Sequence, residues 1–178
     1  FASLADGSLF PGEDTKLAGW TRDIQHQGTD GYVRMGYLMA FLMSTPGIPC
    51  IYYGDEIADV GGNDPDNRRM MRFDDWNDSE TATWQNTSDW IHLRRSRMSM
   101  LYGQTAYREI KPGVLEIRRN YLDEETLVVI NTTNETVILP NPKQRAYRVL
   151  IGGNPIGINL IEVPAESTAA LDVASAAS

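Results

Sequence analysis

TPGIPCIYYGDEIADVGGNDPDNRRMMRF, residues 45–73, is the stretch on which the fold turns. Its first half holds a short apolar run, 48–53, rich in β-branched and aromatic residues and bracketed by Pro46-Gly47 and Gly54. That pattern predicts a strand. The run is apolar on both faces, so the expected strand is covered on both sides, as in parallel α/β sheets and barrels, where side chains at the strand carboxyl ends meet the ligand. Cys50 lies within it and is expected to be buried. The second half reads as a loop. Gly61-Gly62 permit a tight backbone path, and Asp64, Asp66, Arg68 and Arg69 crowd four charges into six positions. With Pro65 opening one helical turn, Asp64 and Arg68 emerge on one face and offer an acceptor and a forked donor to one ligand.

Upstream, residues 1–30 are rich in Gly, Asp and Thr and read as a long loop with one helical turn around 14–20. From Asp30, an expected N-cap, the run to Ser44 places Tyr32, Met35, Met39 and Met43 at helical spacing and predicts a mostly buried helix. Downstream, Thr87 or Ser88 is the expected cap of a second helix over 89–102, ended by Gly103. A helix-strand order of this kind is typical of alternating α/β architecture. Beyond Gly103 the character changes. Short β-rich runs at 113–121, 126–132, 136–139 and 146–151 alternate with the turn-forming segments DEE, NE and PNPK, which predicts a small antiparallel β domain. Residues 174–178 are small and expected to fray.

The 178 residues suffice for one domain or two small ones, and 42% hydrophobic content is enough for a core. A formal net charge of −8 argues against a nucleic-acid partner. The longest apolar run, 37–43, is too short to span a bilayer, so no membrane role is expected. A single cysteine excludes an intrachain disulfide or a cysteine metal site. His26 and His92 stand apart from other ligand types, and the Asp-rich stretch 64–78 lacks the EF-hand spacing, so neither a metal nor a cofactor is expected. Trp84 and Trp90 are expected to pack rather than to stack on a ligand ring.

TPGIPCIYYGDE followed by GGNDPDNRR resembles the segment around the eighth barrel strand of the α-amylase family of glycoside hydrolases. The wording is most similar to that of cyclomaltodextrinases, neopullulanases and endo-acting α-amylases. The resemblance implies an α/β plus all-β chain, with the terminal portion of a (β/α)8 barrel over 1–103 followed by a small antiparallel β-sandwich over 104–178. It implies that Asp64 and Arg68 hold hydroxyl groups of a glucose on the non-reducing side of the cleavage point, so that the substrate is an α-glucan or maltooligosaccharide. It also implies that the nucleophile, the acid/base and a third carboxylate lie at the ends of the fourth, fifth and seventh strands. FASLADGSL resembles the family's wording just after the motif that carries the third. None of the three is present here, so the chain is expected to be inactive by itself and to need the missing amino-terminal barrel portion. Asp55 and Glu56 correspond to an acidic pair that braces loops.

Retaining glycoside hydrolysis needs two carboxyl groups about 5–5.5 Å apart, and no catalytic role is assigned to Asp55, Glu56 or Asp59. Two other classes of function stand beside this one. A non-catalytic carbohydrate-binding module needs an exposed aromatic platform, whereas Tyr107, Tyr121 and Tyr147 alternate with apolar residues as core positions do. A scaffold that has kept the fold and lost the enzyme is the other, since a fold alone does not guarantee activity. The β domain is expected to pack on the helix 89–102, and the apolar helix 30–44 to find a partner in a second copy, giving a homo-oligomer. Compartment, linkage and the choice between hydrolysis and transglycosylation stay open.

Overall fold

The computed structural model describes residues 1–140, 147–156 and 160–173. The expected fraying of 174–178, the PNPK turn beyond Pro140 and the start of a strand at residue 146 lie outside them. The backbone forms two compact units, Phe1–Gly36 with Cys50–Thr87, and Tyr37–Pro49 with Ser88–Ser178.

Five helices carry the first part of the chain. Helix α1 (Ala2–Ala5) is a single turn. Helix α2 (Thr15–Thr21) starts where Asp14 accepts hydrogen bonds from the Lys16 and Leu17 N–H groups, satisfying two amides that have no partner within the helix. Helix α3 (Asp30–Ser44) has the span that its spacing predicts, and Met35, Met39 and Met43 are buried in the chain itself. Asp30 opens the helix rather than capping it from outside.

The second long helix differs from the expected 89–102. Helix α4 (Asp78–Ser96) begins well before Ser88, at a reciprocal cap: Asn77 Oδ1 accepts from Glu80 N–H, and Glu80 Oε2 accepts from Asn77 N–H, both at 2.9 Å. It stops before Arg97, whose backbone is extended (φ −125°, ψ 125°), and α5 (Met98–Tyr102) comes next as a separate turn. Arg97 is buried and donates to Thr126 Oγ1 at 2.6 Å and to Asp172 Oδ1 at 2.7 Å, so a charged side chain anchored in the sheet interrupts the helix. Gly103 ends α5 as expected. Its N–H donates to the Ser99 carbonyl at 2.9 Å, and a Cβ there would lie 2.2 Å from that oxygen.

Eight strands complete the described chain: β1 (Gln104–Lys111), β2 (Val114–Tyr121), β3 (Glu124–Asn131), β4 (Val137–Pro140), β5 (Tyr147–Ile151), β6 (Asn154–Ile156), β7 (Leu160–Val163) and β8 (Ser167–Val173). One sheet has the order β1-β2-β3-β8-β5 and the other β4-β7-β6, with every pairing antiparallel. Leu127, Val129, Ala169 and Leu171 of the first sheet meet Val137, Leu139, Ile161 and Val163 of the second in one buried cluster, which makes the pair a β-sandwich. On the opposite face of the larger sheet, α5 packs against β2 and β3. The β-rich runs of the sequence correspond to β2 to β5 but miss β1, β6, β7 and the central β8. Tyr107, expected in the core, is 51% exposed because β1 is an edge strand with a neighbour on one side only.

Two buried arginines without a carboxylate partner among the described residues tie the end of α3 to α4, α5 and β2. Arg94 donates to the carbonyls of Met43, Thr45 and Gly47. Arg119 donates to those of Ser44, Ser99 and Met100. Carbonyls at the end of a helix lack internal partners, and these guanidinium forks supply them. Burial pushes both groups below the usual arginine pKa, and for Arg119 the neighbouring Arg94 adds to the effect.

Residues 48–53 do not form a strand. They are irregular up to a turn at Tyr53, with Ile48 97% exposed and Cys50 exposed as well, against the expectation that both are buried. A strand is a property of a pair: its N–H and C=O groups need a neighbouring ladder, and this segment has none among the described residues. The α/β barrel part of the expected fold is therefore not displayed by these elements, whereas the β-sandwich is.

Candidate functional site

The loop 58–69 is irregular in backbone yet tied down at almost every step, and its anchors come from the amino-terminal stretch 1–30. The Ser3 hydroxyl donates to the Gly61 carbonyl at 2.9 Å and accepts from the Gly61 N–H at 3.0 Å. Asn63 N–H donates to the Thr15 carbonyl at 3.1 Å. Gly62 lies so close to α2 that a Cβ would fall 2.6 Å from the Thr15 oxygen, and only glycine fits. Asp66 accepts from the Gly62 N–H at 2.7 Å and from the Arg69 guanidinium at 2.9 and 3.1 Å, while Arg69 also donates to the Ile24 carbonyl at 2.9 Å. Burial pushes the Asp66 carboxyl up, but the Arg69 and Gly62 hydrogen bonds outweigh it and hold the group below its usual range.

On this held backbone, a 3₁₀ turn at Asp66–Arg68 brings Asp64 and Arg68 together. Arg68 Nη2 lies 2.6 Å from Asp64 Oδ1, and both side chains are more than half exposed. Pro65 immediately precedes the turn instead of opening it, yet the two side chains meet as the four-residue spacing predicts. An exposed ion pair of this kind adds little to stability. Tyr52 lies within electrostatic reach of both groups, and its ring packs against Tyr53 at 4.5 Å between centroids. The hydrogen bond with Tyr53, with desolvation second, pushes the Tyr52 hydroxyl up. Both tyrosines stay more than 40% exposed. Carboxylate, guanidinium and open aromatic faces in one place make a surface on which a polyhydroxylated ring can be hydrogen-bonded and stacked.

Behind the tyrosines is a polar cavity of about 150 Å³ lined by Ser3, Tyr52, Asp55, Asp59, Asp66 and Arg69 among others, and neither Asp64 nor Arg68 lines it. Asp55 and Asp59 of this lining, and Glu56 outside it, serve their own loop. Asp55 Oδ2 accepts from the Tyr52 N–H, Glu56 Oε2 from the Gly54 N–H and Asp59 Oδ1 from the Val60 N–H. Burial pushes the Asp55 carboxyl up. Trp90 is fully buried, in keeping with packing, whereas Trp84 is 42% exposed and meets Trp76 at 6.0 Å. His92 stays on its own helix, bonded to the Ser88 carbonyl. His26 does not: it reaches Asp6 and Ala58, residues distant in sequence. The aromatic pair and the Ser3, Asp6 and His26 anchors escape sequence reasoning, and the YY dipeptide beside the charged loop is the one local signal among them.

No family model matches the sequence. The chain is 32% identical over 121 residues to a cyclomaltodextrin glucanotransferase of Bacillus sp. (strain 38-2), a match covering 65% of this chain and 16% of that protein. It is 32% identical over 107 residues to a cyclomaltodextrinase of Geobacillus thermopakistaniensis, covering 59% and 18%. Among solved structures, an alpha-amylase from Geobacillus thermoleovorans complexed with acarbose superposes with a TM-score of 0.71 at 28% identity, over 92% of this chain and 36% of that one. The cyclic alpha-maltosyl-(1→6)-maltose hydrolase of Arthrobacter globiformis shares the fold, with a TM-score of 0.65 at 21% identity. The chain is thus similar to members of the α-amylase family of glycoside hydrolases, and it spans less than a fifth of the length of these curated relatives and 36% of the alpha-amylase structure.

Proposed function

We propose that this chain is the carboxyl-terminal part of a retaining glycosidase acting on α-glucans, with 1–103 the last part of its (β/α)8 barrel and 104–178 the trailing β-sandwich. In this arrangement Asp64 accepts from, and Arg68 donates to, adjacent hydroxyls of one glucose unit, and Tyr52 offers its ring beside them. What supports it is the solvent-facing Asp64–Arg68 pair, 2.6 Å apart on a backbone fixed from several sides. The chain's contribution is to grip and position substrate. The nucleophile and the acid/base belong to the remainder of the enzyme, because Asp55, Glu56 and Asp59 are engaged with their own loop.

Calorimetric titration with maltotetraose tests this. Binding by the chain that falls at least tenfold in both Asp64→Ala and Arg68→Ala is expected, and unchanged binding in both variants overturns the assignment. No turnover of starch, pullulan or cyclodextrins is expected from the chain alone; turnover that survives Asp64→Ala overturns the division of labour. One observation favours a second function, that of a carbohydrate-binding module: Tyr107 presents a half-exposed ring on edge strand β1. In that case Tyr107→Ala, not Asp64→Ala, abolishes binding in the same titration.

A further inference from the structure

His26 makes two hydrogen bonds, and both partners are acceptors. Its Nδ1 lies 2.5 Å from Asp6 Oδ2 and its Nε2 lies 3.0 Å from the Ala58 carbonyl oxygen. The Asp6 side chain is wholly buried, and its second oxygen already accepts from the Ser8 N–H at 3.1 Å. Tyr32 stacks on the imidazole with 4.1 Å between ring centroids. A neutral imidazole carries one N–H and satisfies one of two such acceptors, whereas the imidazolium satisfies both. Ala58 gives the second bond its significance. It is a non-glycine residue at φ 56°, a conformation unfavourable to any residue with a Cβ, and it stands at the start of the loop that leads through Gly61 and Gly62 to Asp64.

We infer that His26 is a protonation-dependent positioning residue. As the imidazolium it bridges buried Asp6 to the Ala58 carbonyl and sets the path of the loop bearing Asp64 and Arg68; on losing a proton it gives up one of its two bonds and the loop loses an anchor. The groups that bear on this proton are Asp6 and Tyr32 in direct contact, Glu80 through its electrostatic interaction with the ring, and Asp59, Arg69, Arg72 and Asp75, which line a cavity of about 430 Å³ together with His26. The link from loop geometry to sugar binding rests on the function proposed above; the link from protonation to loop geometry does not.

Two measurements separate them. In the wild-type chain, ¹⁵N NMR over a pH series is expected to show the Ala58 to Gly62 amide shifts changing together with the loss of the second proton from the His26 ring. Amide shifts indifferent to that loss overturn the inference whatever the ligand. Maltotetraose affinity is then expected to fall about tenfold across the same change, the equivalent of one charge-assisted hydrogen bond. That slope vanishes in His26→Gln, and affinity stays at the tighter level across the range in His26→Arg, which keeps two donors at every pH. A wild-type slope in His26→Gln overturns the positioning role. An absence of maltotetraose binding at every pH counts against the glucan assignment and leaves the NMR result to decide the protonation step.

Discussion

Val129 and Gly61 both sit in well-fixed backbone, yet nothing that fixes one fixes the other. Val129 is held by the ladders to Glu116 on β2 and Ala169 on β8, and by the apolar cluster between the sheets. Gly61 is held by a single serine hydroxyl that donates to its carbonyl and accepts from its amide. In the sandwich, many interchangeable apolar contacts share the task, so hydrophobic residues of similar volume substitute at modest cost. In the loop, each anchor is a particular polar atom, some of them contributed from far along the chain, and losing one leaves a specific group without its partner.

The comparison can be strained first where the apolar contacts are densest. Leu171→Ala, at a fully buried position, is expected to destabilise the sandwich by about 2–5 kcal/mol in urea unfolding. An effect below about 1 kcal/mol would mean that the two sheets do not share a tight core. The sandwich also has a polar weakness. Buried Glu116 accepts hydrogen bonds from Arg108 and Arg118, and these outweigh the upward push of burial to hold its carboxyl below the usual range. A folded-state pKa below the unfolded one stabilises fully above the unfolded value of about 4.3 and ceases to do so as pH falls through the folded value. Glu116→Gln is therefore expected to lower stability at pH 7 by about 1.5–3 kcal/mol and to flatten the loss seen below about pH 4.3. An acid limb as steep as that of the wild type would assign the dependence to another carboxylate.

The loop's fixity is probed by Gly62→Ala, whose new methyl group has no room against the Thr15 carbonyl. A cost of about 1–3 kcal/mol is expected, with faster hydrogen exchange at Asn63 and Asp66 and little change in β3. Uniform changes across both regions would erase the distinction between them. Smaller still, Asn77→Ala removes half of the reciprocal cap on α4 and is expected to cost about 1 kcal/mol in thermal unfolding. Leu122→Asn acts in the opposite direction. Leu122 stands exposed at φ 50° in the two-residue β2–β3 turn, where asparagine is better suited, and a gain of a few tenths of a kcal/mol is expected.

Legibility in the sequence divides along the same line. Local periodicity identifies α3, because Met35, Met39 and Met43 mark one face by themselves, and β2 and β3 declare themselves by β-branched runs. The central strand β8 is rich in alanine, a residue that carries no strand preference, and its place is set by two neighbours that no local pattern reveals. The start of α4 was present in the spacing of Asn77 and Glu80 and was obscured by the polar residues around it. The run 48–53 misleads for the converse reason, since composition supplies strand-forming side chains but not a partner ladder. At the site, the Asp64–Arg68 spacing carries its own geometry. The Asp6–His26 contact crosses 20 residues and the Ser3–Gly61 contact 58, and neither leaves a trace in local sequence.

The strand order bears on how the sheet is made during synthesis. As the chain leaves the ribosome, β1, β2 and β3 emerge in succession and pair as a meander through short turns. Thr126 of β3, however, pairs with Asp172 of β8, so one whole side of β3 must wait for some forty further residues. Until β8 inserts between β3 and β5, an apolar sheet edge is open to the wrong neighbour. One late strand of modest composition is thus what closes the open side of β3, the pairing of longest sequence separation in that sheet's centre.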